Sequence, residues 1–286
     1  MEAFWPVCIR VCGIVIRFLL PGPVTLEKDI STFLCLDTET PDAEFEIRLI
    51  HTPLQPPEPP VHTEGALVIY QTPEGWLRMY LPLIAEDGCQ VACLLRPNGK
   101  NILFYPASQW HRFAAPLRCL HLIGAETLLL HRDALLLHSS VVCKNGKAVL
   151  FSGPSGAGKS TQAALWEAHL GAKVVNGDRC VIMRTPEGFI GSGSPWAGTS
   201  GIYTDIQAPI AGIFLVTQAP KNRVERLGFS AFPALFSQTI TNAWDEDYMV
   251  RITDLFQQLL LEVPVYRLYC RPDAQAAQLA YDTLFH

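Results

Sequence analysis

The stretch Gly153-Pro-Ser-Gly-Ala-Gly-Lys-Ser160 constrains the fold of this chain more than any other part of it. Its spacing, G-x-x-x-x-G-K-S, is typical of a phosphate-binding P-loop between a strand and a helix. The glycines let backbone N–H groups turn inward toward phosphate oxygens, and the helix that follows directs its N-terminus at the same charge. Because the four fixed positions arise by chance in about one chain in a hundred of this length, the motif predicts a nucleotide-binding loop.

The flanking sequence has the order of strand, loop and helix that this motif requires. Lys147–Ser152 is an apolar run typical of a buried strand, and Thr161–Leu170 has helix-forming composition with Gly171 as its expected C-terminal cap. We expect Lys159 to reach the β- and γ-phosphates and the Ser160 hydroxyl to complete a Mg²⁺ shell. The alternative is an ordinary glycine-rich turn before a helix. The residues predicted to bind ATP are Gly153, Pro154, Ser155, Gly156, Ala157, Gly158, Lys159, Ser160 and Thr161.

Composition and charge narrow the classes of partner. The 286 residues carry a formal net charge of −5, which argues against a nucleic-acid partner. The nine cysteines include no C-x-x-C pair, and their odd number favours reduced thiols and a cytoplasmic location. The apolar stretch Val7–Leu20 contains Arg10, Arg17 and many β-branched residues, so it predicts strands rather than a membrane helix. We therefore expect neither a nucleic-acid nor a membrane partner, and a homo-oligomer is left open.

The two halves of the chain differ in their patterns. Residues 1–113 alternate short β-type segments with turn signals and predict a smaller β-rich N-terminal domain, whose role as scaffold or recognition module stays open. Residues 114–286 interleave strand and helix patterns and predict an α/β domain that contains the P-loop. A helix is expected over Ala114–His131 at the start of this domain. Within it, Val224–Leu227 is expected to form a hairpin with the strand Ile210–Thr217.

A P-loop site normally uses a carboxylate on a neighbouring strand to hold Mg²⁺. Asp178 is the best candidate because it ends the first strand after the predicted helix, so Ser160 and Asp178 are the predicted metal ligands. The residue types of Asn176-Gly177-Asp178 also favour a simple hairpin turn, an interpretation that is compatible with the metal role. His138 lies in an apolar strand before the loop, where a lone histidine is usually a core residue.

Three stretches together resemble the bacterial HPr kinase/phosphorylase family and its relatives: His138-Ser-Ser, Gly153–Thr161 and Val175-Asn-Gly-Asp178. The resemblance covers roughly residues 130–286. It implies a P-loop core of the type shared with ATP-dependent phosphoenolpyruvate carboxykinases, with ATP and Mg²⁺ as cofactors. It also implies a histidine on the strand before the loop, which matches His138.

This sequence departs from the family in two places. The family has a pair of aspartates where this chain has Gly177-Asp178, so one carboxylate remains. The arginine- and glycine-rich signature that accompanies phosphorylase activity is not recognisable, and Gly193–Gly198 stands in its place, so we do not expect that half-reaction. The Gly193–Gly198 segment is either a lid over the site or a structural turn with Trp196 in the core.

The resemblance implies a P-loop kinase that transfers the γ-phosphate of ATP to a hydroxyl, with ADP as product. The acceptor would be a serine of a small protein or peptide. The expected catalytic residues are Lys159 at the phosphates, Asp178 as acceptor of the hydroxyl proton, and His138 beside it. The alternatives are a small-molecule kinase and a non-catalytic nucleotide-binding sensor or scaffold, which the missing aspartate at Gly177 favours.

Overall fold

The computed structural model describes residues 4–24, 28–57, 59–84, 88–112 and 122–286. The chain forms two units, residues 1–128 and 129–286. The boundary predicted between residues 113 and 114 lies outside the described residues, as does the first part of the helix predicted over Ala114–His131. Helix α1 covers Ala125–Leu130. None of the helices in the described ranges is long and apolar enough to span a membrane.

The described part of the first unit contains one nine-stranded sheet, with strand order β3-β1-β2-β4-β9-β8-β7-β6-β5. Strand β4 runs parallel to β2 and β9, and the other neighbours are antiparallel. The apolar stretch at the N-terminus forms the β1–β2 hairpin, as its β-branched residues predict. The elements are β1 (Trp5–Val11), β2 (Ile14–Leu20), β3 (Leu34–Cys35), β4 (Ala43–Ile50), β5 (His62–Glu64), β6 (Leu67–Thr72), β7 (Gly75–Ile84), β8 (Gln90–Leu95) and β9 (Lys100–Pro106), with 3₁₀ turns at Lys28–Phe33 and Ala107–Arg112.

The second unit contains an eight-stranded sheet with helices. Its strands are β10 (Ala134–Lys144), β11 (Lys147–Ser152), β12 (Lys173–Asn176), β13 (Arg179–Thr185), β14 (Gly188–Ser192), β15 (Gln207–Gln218), β16 (Arg223–Leu227) and β17 (Val265–Cys270). Its helices are α2 (Lys159–Leu170), α3 (Phe232–Phe236), α4 (Glu246–Glu262) and α5 (Ala274–Phe285), with 3₁₀ turns at Gly198–Ser200 and Phe229–Ala231. The predicted mixed α/β class is confirmed, and a core of the HPr kinase type stays a prediction.

Two long strands give the second unit its shape. The first half of β10 pairs with β13 and its second half with β11 and β12. Likewise, the first half of β15 pairs with β14 and its second half with β11 and β17. Strands β10, β13, β14, β15 and β11 therefore close a ring. The β10–β11 hairpin turns at Asn145 and Gly146, both with positive φ, as an Asn-Gly pair predicts.

Strand β11 is buried on both faces. Val149 and Phe151 pack against Trp166 of α2 on one side, while Ala148 and Leu150 belong to the core cluster on the other side, which includes α4. The rings of Phe151 and Trp166 meet edge to face at 5.7 Å between centroids. A strand covered on both faces has an apolar run rather than an alternating pattern, which explains the sequence that leads into the glycine loop.

The hairpin predicted between Val224–Leu227 and Ile210–Thr217 is wrong. Strand β16 pairs with β17, which lies between β16 and β15 and runs parallel to β15. Arg223, Glu225 and Arg226 are exposed on β16, so this strand suits the edge of the sheet. The more apolar β17 takes the interior position, where both faces are covered.

Candidate functional site

Residues 153–158, here named the glycine loop, connect β11 to α2. Gly153, Gly156 and Gly158 all have positive φ, at 141°, 77° and 106°. A Cβ on Gly153 would lie 3.2 Å from the backbone oxygen of Val216 on β15, so a side chain there would be tightly packed as well as conformationally strained. Gly158 is the N-cap of α2 and has no side chain that could cap the first turn. Strand, loop and helix thus follow in the predicted order.

Lys159 folds back over the glycine loop. Its Nζ donates hydrogen bonds to the carbonyl oxygens of Gly153 at 2.9 Å and Pro154 at 3.2 Å. The residue is buried, and burial lowers the pKa of its ammonium, while the charge of Asp178 opposes that shift. The loop therefore holds the positive charge of Lys159 at its centre, and this charge would attract an anion.

Asp178 does not lie in a hairpin turn, so the simpler of the two interpretations is wrong. Strands β12 and β13 both run antiparallel to β10, with Asn176 opposite Val141 and Arg179 opposite His138 and a register shift between Val141 and Val142. The chain bends at residues 177 and 178 and then continues in the same direction. The backbone N–H of Ser139 still donates to the Asp178 carbonyl oxygen at 2.9 Å.

Asn176 fixes this bend. Its buried Oδ1 accepts hydrogen bonds from the backbone N–H groups of Asp178 and Arg179, both at 2.8 Å. Its Nδ2 donates to the carbonyl oxygen of Ser194 at 2.9 Å. A buried side-chain amide that satisfies backbone groups on two segments determines the direction in which the Asp178 side chain leaves the strand.

His138 and Asp178 form a close pair, with 3.3 Å between Nε2 and Oδ1. Arg179 lies on the other side, its Nε 3.5 Å from Oδ2 of Asp178. Burial lowers the pKa of His138, the charges of Lys159 and Arg179 lower it further, and Asp178 opposes them. Since a carboxylate only accepts hydrogen bonds, the neutral imidazole carries its proton on Nε2.

His138, Lys159 and Asp178 line one cavity of about 410 Å³. It brings together the three residues predicted to be catalytic and both predicted metal ligands. Of the predicted ATP-binding residues, Gly153, Pro154 and Ala157 are not among those described as lining it. Across the described ranges, no group of three or more His, Cys, Asp or Glu side chains is arranged to hold a metal ion. The lining residues are His138, Ser155, Gly156, Gly158, Lys159, Ser160, Thr161, Gly177, Asp178, Ser200 and Gln218.

The donor set suits Mg²⁺ bound together with phosphates. Mg²⁺ commonly binds through one or two carboxylates and completes its shell with water and phosphate oxygens. The cavity offers the carboxylate of Asp178 and the hydroxyl of Ser160. The Ser160 hydroxyl oxygen lies 3.5 Å from that of Ser140, whose own hydroxyl donates to the Gly177 carbonyl at 2.9 Å. Ser160 and Asp178 are therefore compatible with the predicted role.

The segment after β14 closes one side of the site. Trp196 is 3% exposed, which fits the structural turn rather than the lid. A Cβ added to Gly198 would lie 2.6 Å from Cγ of Asp178, and one added to Gly177 would lie 2.1 Å from Oγ of Ser200. Ser200 therefore occupies the space next to Gly177 where a longer side chain would extend.

Sequence reasoning missed Asn176 as a positioning residue, and it also missed Arg179, Ser200 and Gln218. The Asn-Gly-Asp composition signalled a turn, but the partners of Asn176 depend on strand pairing over long sequence distances. Nε2 of Gln218, the last residue of β15, donates to the Gly156 carbonyl at 2.7 Å. This bond connects β15 to the glycine loop.

Comparisons with known proteins give limited information. The chain matches neither a known family profile nor a curated protein sequence. Among solved structures it is similar to the Hpr(Ser) kinase/phosphatase from Coxiella burnetii, with 16% sequence identity and a TM-score of 0.30 over 52% of this chain and 87% of that one. A similarity of this size shows neither family membership nor activity.

Proposed function

We propose that the second unit is an ATP-dependent phosphotransferase that transfers the γ-phosphate to a hydroxyl. One observation carries the proposal: the glycine loop with Lys159 and Ser160, and the His138–Asp178 pair, line the same cavity. If the glycine loop were only a structural turn, it would not have to lie beside the His138–Asp178 pair. A phosphate-binding loop beside a carboxylate with a positioned histidine supplies the parts that phosphoryl transfer uses.

The glycine loop would hold the phosphates of ATP through its backbone N–H groups and the N-terminus of α2. Lys159 would give up its hydrogen bonds to the carbonyl oxygens of the loop and donate to the β- and γ-phosphates, because charge-assisted hydrogen bonds are stronger. Bound Mg²⁺ would neutralise phosphate charge, with Ser160 and Asp178 as its protein ligands.

Asp178 would accept the proton of the acceptor hydroxyl. As the hydroxyl oxygen bonds to the γ-phosphorus, the bond from that phosphorus to the β,γ-bridging oxygen breaks and ADP leaves. His138 is a positioning residue in this step, because its Nε2–H holds one oxygen of the carboxylate. Most of the catalysis would come from placement and charge rather than from proton transfer alone.

The acceptor class rests on the sequence resemblance, which implies a serine of a small protein or peptide. A second candidate, a nucleotide sensor without transfer activity, is favoured by one observation: Ser200 fills the space beside Gly177 where a second carboxylate would extend. The two candidates share the ATP site and differ only in transfer.

Transfer is tested with Mg·ATP labelled at the γ-phosphate and a library of serine-containing peptides. The slow hydrolysis of ATP by water, which releases inorganic phosphate, is a second measurement that needs no acceptor. Asp178→Asn should lower both rates by about 10²-fold, the usual effect of a positioned base. Asp205→Asn changes an exposed carboxylate that is not among the cavity-lining residues and should leave them unchanged. Equal rates for wild type and Asp178→Asn would refute the role of Asp178, and ATP binding without any transfer would favour the sensor.

A further inference from the structure

Ser200 lines the cavity without a role in holding the phosphates. Three of the residues described as lining this cavity are serines: Ser155, Ser160 and Ser200. Ser155 lies in the glycine loop and Ser160 in the first turn of α2, so both belong to the segment proposed to hold the phosphates and Mg²⁺. Ser200 comes from a different segment, the 3₁₀ turn Gly198–Ser200. Its side chain is a hydroxyl, the group that the proposed reaction phosphorylates.

The hydroxyl of Ser200 lies beside the bend that contains Asp178. A Cβ added to Gly177 would lie 2.1 Å from Oγ of Ser200, and one added to Gly198 would lie 2.6 Å from Cγ of Asp178. Ser200 therefore adjoins the residue before Asp178, and the turn that carries Ser200 touches the carboxylate. Two residue steps span at most about 7 Å, so this turn keeps the hydroxyl close to the proposed proton acceptor.

The turn holds this hydroxyl in place without enclosing it. Oγ of Ser200 donates to the Ala197 carbonyl at 2.6 Å and accepts from the backbone N–H of Ile202 at 3.2 Å. Ser200 is half-buried. Because both hydrogen-bond partners belong to the turn itself, a change of the Ser200 rotamer can release the hydroxyl toward the cavity without moving a strand.

The charges near Ser200 suit a phosphate at this place. Lys159 lines the same cavity, and Nε of Arg179 lies 3.5 Å from Oδ2 of Asp178. A phosphoserine carries a charge of about −1.5 to −2 near neutral pH, and lysine and arginine are its usual partners. The carboxylate of Asp178 opposes this charge until it accepts the proton of the hydroxyl, which neutralises it.

We propose that Ser200 is itself a phosphate acceptor, so that the chain phosphorylates the turn that lines its own cavity. This inference rests on the proposed function, because it uses ATP held at the glycine loop and Asp178 as proton acceptor. Oγ of Ser200 forms a bond to the γ-phosphorus, and the bond from that phosphorus to the β,γ-bridging oxygen breaks. ADP leaves, and the proton of the Ser200 hydroxyl passes to Asp178. The transfer is intramolecular, since the phosphate site and Ser200 line one cavity.

The inference is tested by incubating the full chain with Mg·ATP labelled at the γ-phosphate, without any peptide, and locating the phosphate by fragment mass spectrometry. We expect a single phosphate at Ser200. Ser200→Ala should lose the incorporation, and Asp178→Asn should slow it by about 10²-fold, the usual effect of a positioned base. Diluting the protein about tenfold should leave the labelled fraction at each time unchanged, because an intramolecular step does not depend on encounters between chains.

Ser237→Ala is the matched control. Ser237 is exposed and is not among the cavity-lining residues, yet its hydroxyl donates to the carbonyl three residues earlier, that of Ala234 at 2.9 Å, as Ser200 does to Ala197. This variant should be labelled like wild type. Thermal unfolding and calorimetric binding of Mg·tripolyphosphate, the phosphate chain of ATP without its nucleoside, report whether each variant keeps its fold and its glycine loop.

The position of the phosphate in wild type decides the inference even if Ser200→Ala fails to fold. Phosphate transfer to peptides or to water by wild type, with none at Ser200, would overturn the inference and leave the proposed function standing. Undiminished incorporation in a folded Ser200→Ala variant would do the same, and labelling that slows in proportion to dilution would overturn the intramolecular transfer. A wild-type protein that transfers phosphate to neither peptide, water nor Ser200 would overturn the proposed function as well.

Discussion

Nε2 of His138, on β10, lies 3.3 Å from Oδ1 of Asp178, which is in the bend between β12 and β13 beside the glycine loop. The charged groups around the imidazole are Asp178, Lys159 and Arg179, two of them positive. Burial and the two positive charges keep the pKa of His138 below its ordinary value of 6.5, and the charge of Asp178 opposes them. His138 is therefore a neutral hydrogen-bond donor to Asp178 near neutral pH.

The lowered pKa of His138 makes the folded state less stable as the pH falls. In the unfolded chain His138 gains a proton as the pH falls through about 6.5, whereas in the folded chain it gains one only at lower pH. The unfolded state binds more protons in this window, so folded stability falls as the pH falls. His138→Gln should reduce the loss of Tm between pH 7 and pH 5. His169→Gln changes a histidine on the exposed face of α2 and is the control. If Tm falls between pH 7 and pH 5 as much in His138→Gln as in wild type, the linkage is contradicted.

Gly177 and Ser200 should be energetically coupled. Gly177 is not in the left-handed region, so crowding by Ser200 is the obstacle to a side chain there. Gly177→Ala should lower the free energy of unfolding by about 1–3 kcal/mol through overpacking. Adding Ser200→Gly should recover most of this loss, which a double-mutant cycle with urea unfolding measures. Additive effects would mean that the two residues do not compete for this space.

Asn176 should matter for the position of Asp178 as well as for stability. Asn176→Ala removes one acceptor from two backbone N–H groups and one donor from Ser194, all in a buried place. We expect a loss of about 2–4 kcal/mol in the free energy of unfolding. If the variant folds, transfer should fall while tripolyphosphate affinity persists, because the glycine loop is untouched. Transfer at the wild-type rate would contradict a positioning role.

The glycines of the loop should differ in their tolerance of alanine. Both Gly153 and Gly156 have positive φ, but a Cβ on Gly156 meets no described atom within 4 Å, whereas one on Gly153 approaches the Val216 carbonyl. Gly156→Ala should cost about 1–2 kcal/mol, the strain of the left-handed conformation alone. Gly153→Ala should cost more, and thermal unfolding compares the two. Equal losses would show that contact with β15 is unimportant.

Local features of the second unit were predictable from sequence. The strand Lys147–Ser152 and the cap at Gly171 follow from apolar runs and glycine preferences, and both are found. Asp245 and Asp273 cap α4 and α5 with side-chain hydrogen bonds, and aspartate is among the residue types that favour this position.

Features that depend on pairing between distant strands were not predictable. Strand β16 pairs with β17, although β15 is its neighbour along the chain. The pairing of both β12 and β13 with β10 places Arg179 opposite His138, and no local pattern signals this. Ser200 reaches the site because it lies against Gly177, as Gly198 lies against Asp178. In each case packing over the whole sheet determined the outcome, and turn composition alone did not.

The affinity of the chain for Mg·ATP, with and without the ammonium of Lys159, is the decisive test of the proposed nucleotide site. Isothermal titration calorimetry should show binding to wild type, and Lys159→Ala should lose it by tenfold or more, since charged hydrogen bonds to phosphate contribute about 1.5–3 kcal/mol each. Lys147→Ala, a surface lysine at the start of β11, should bind like wild type. A wild-type protein that does not bind Mg·ATP, or a Lys159→Ala variant that binds it equally well, would contradict the assignment of the glycine loop as a phosphate site.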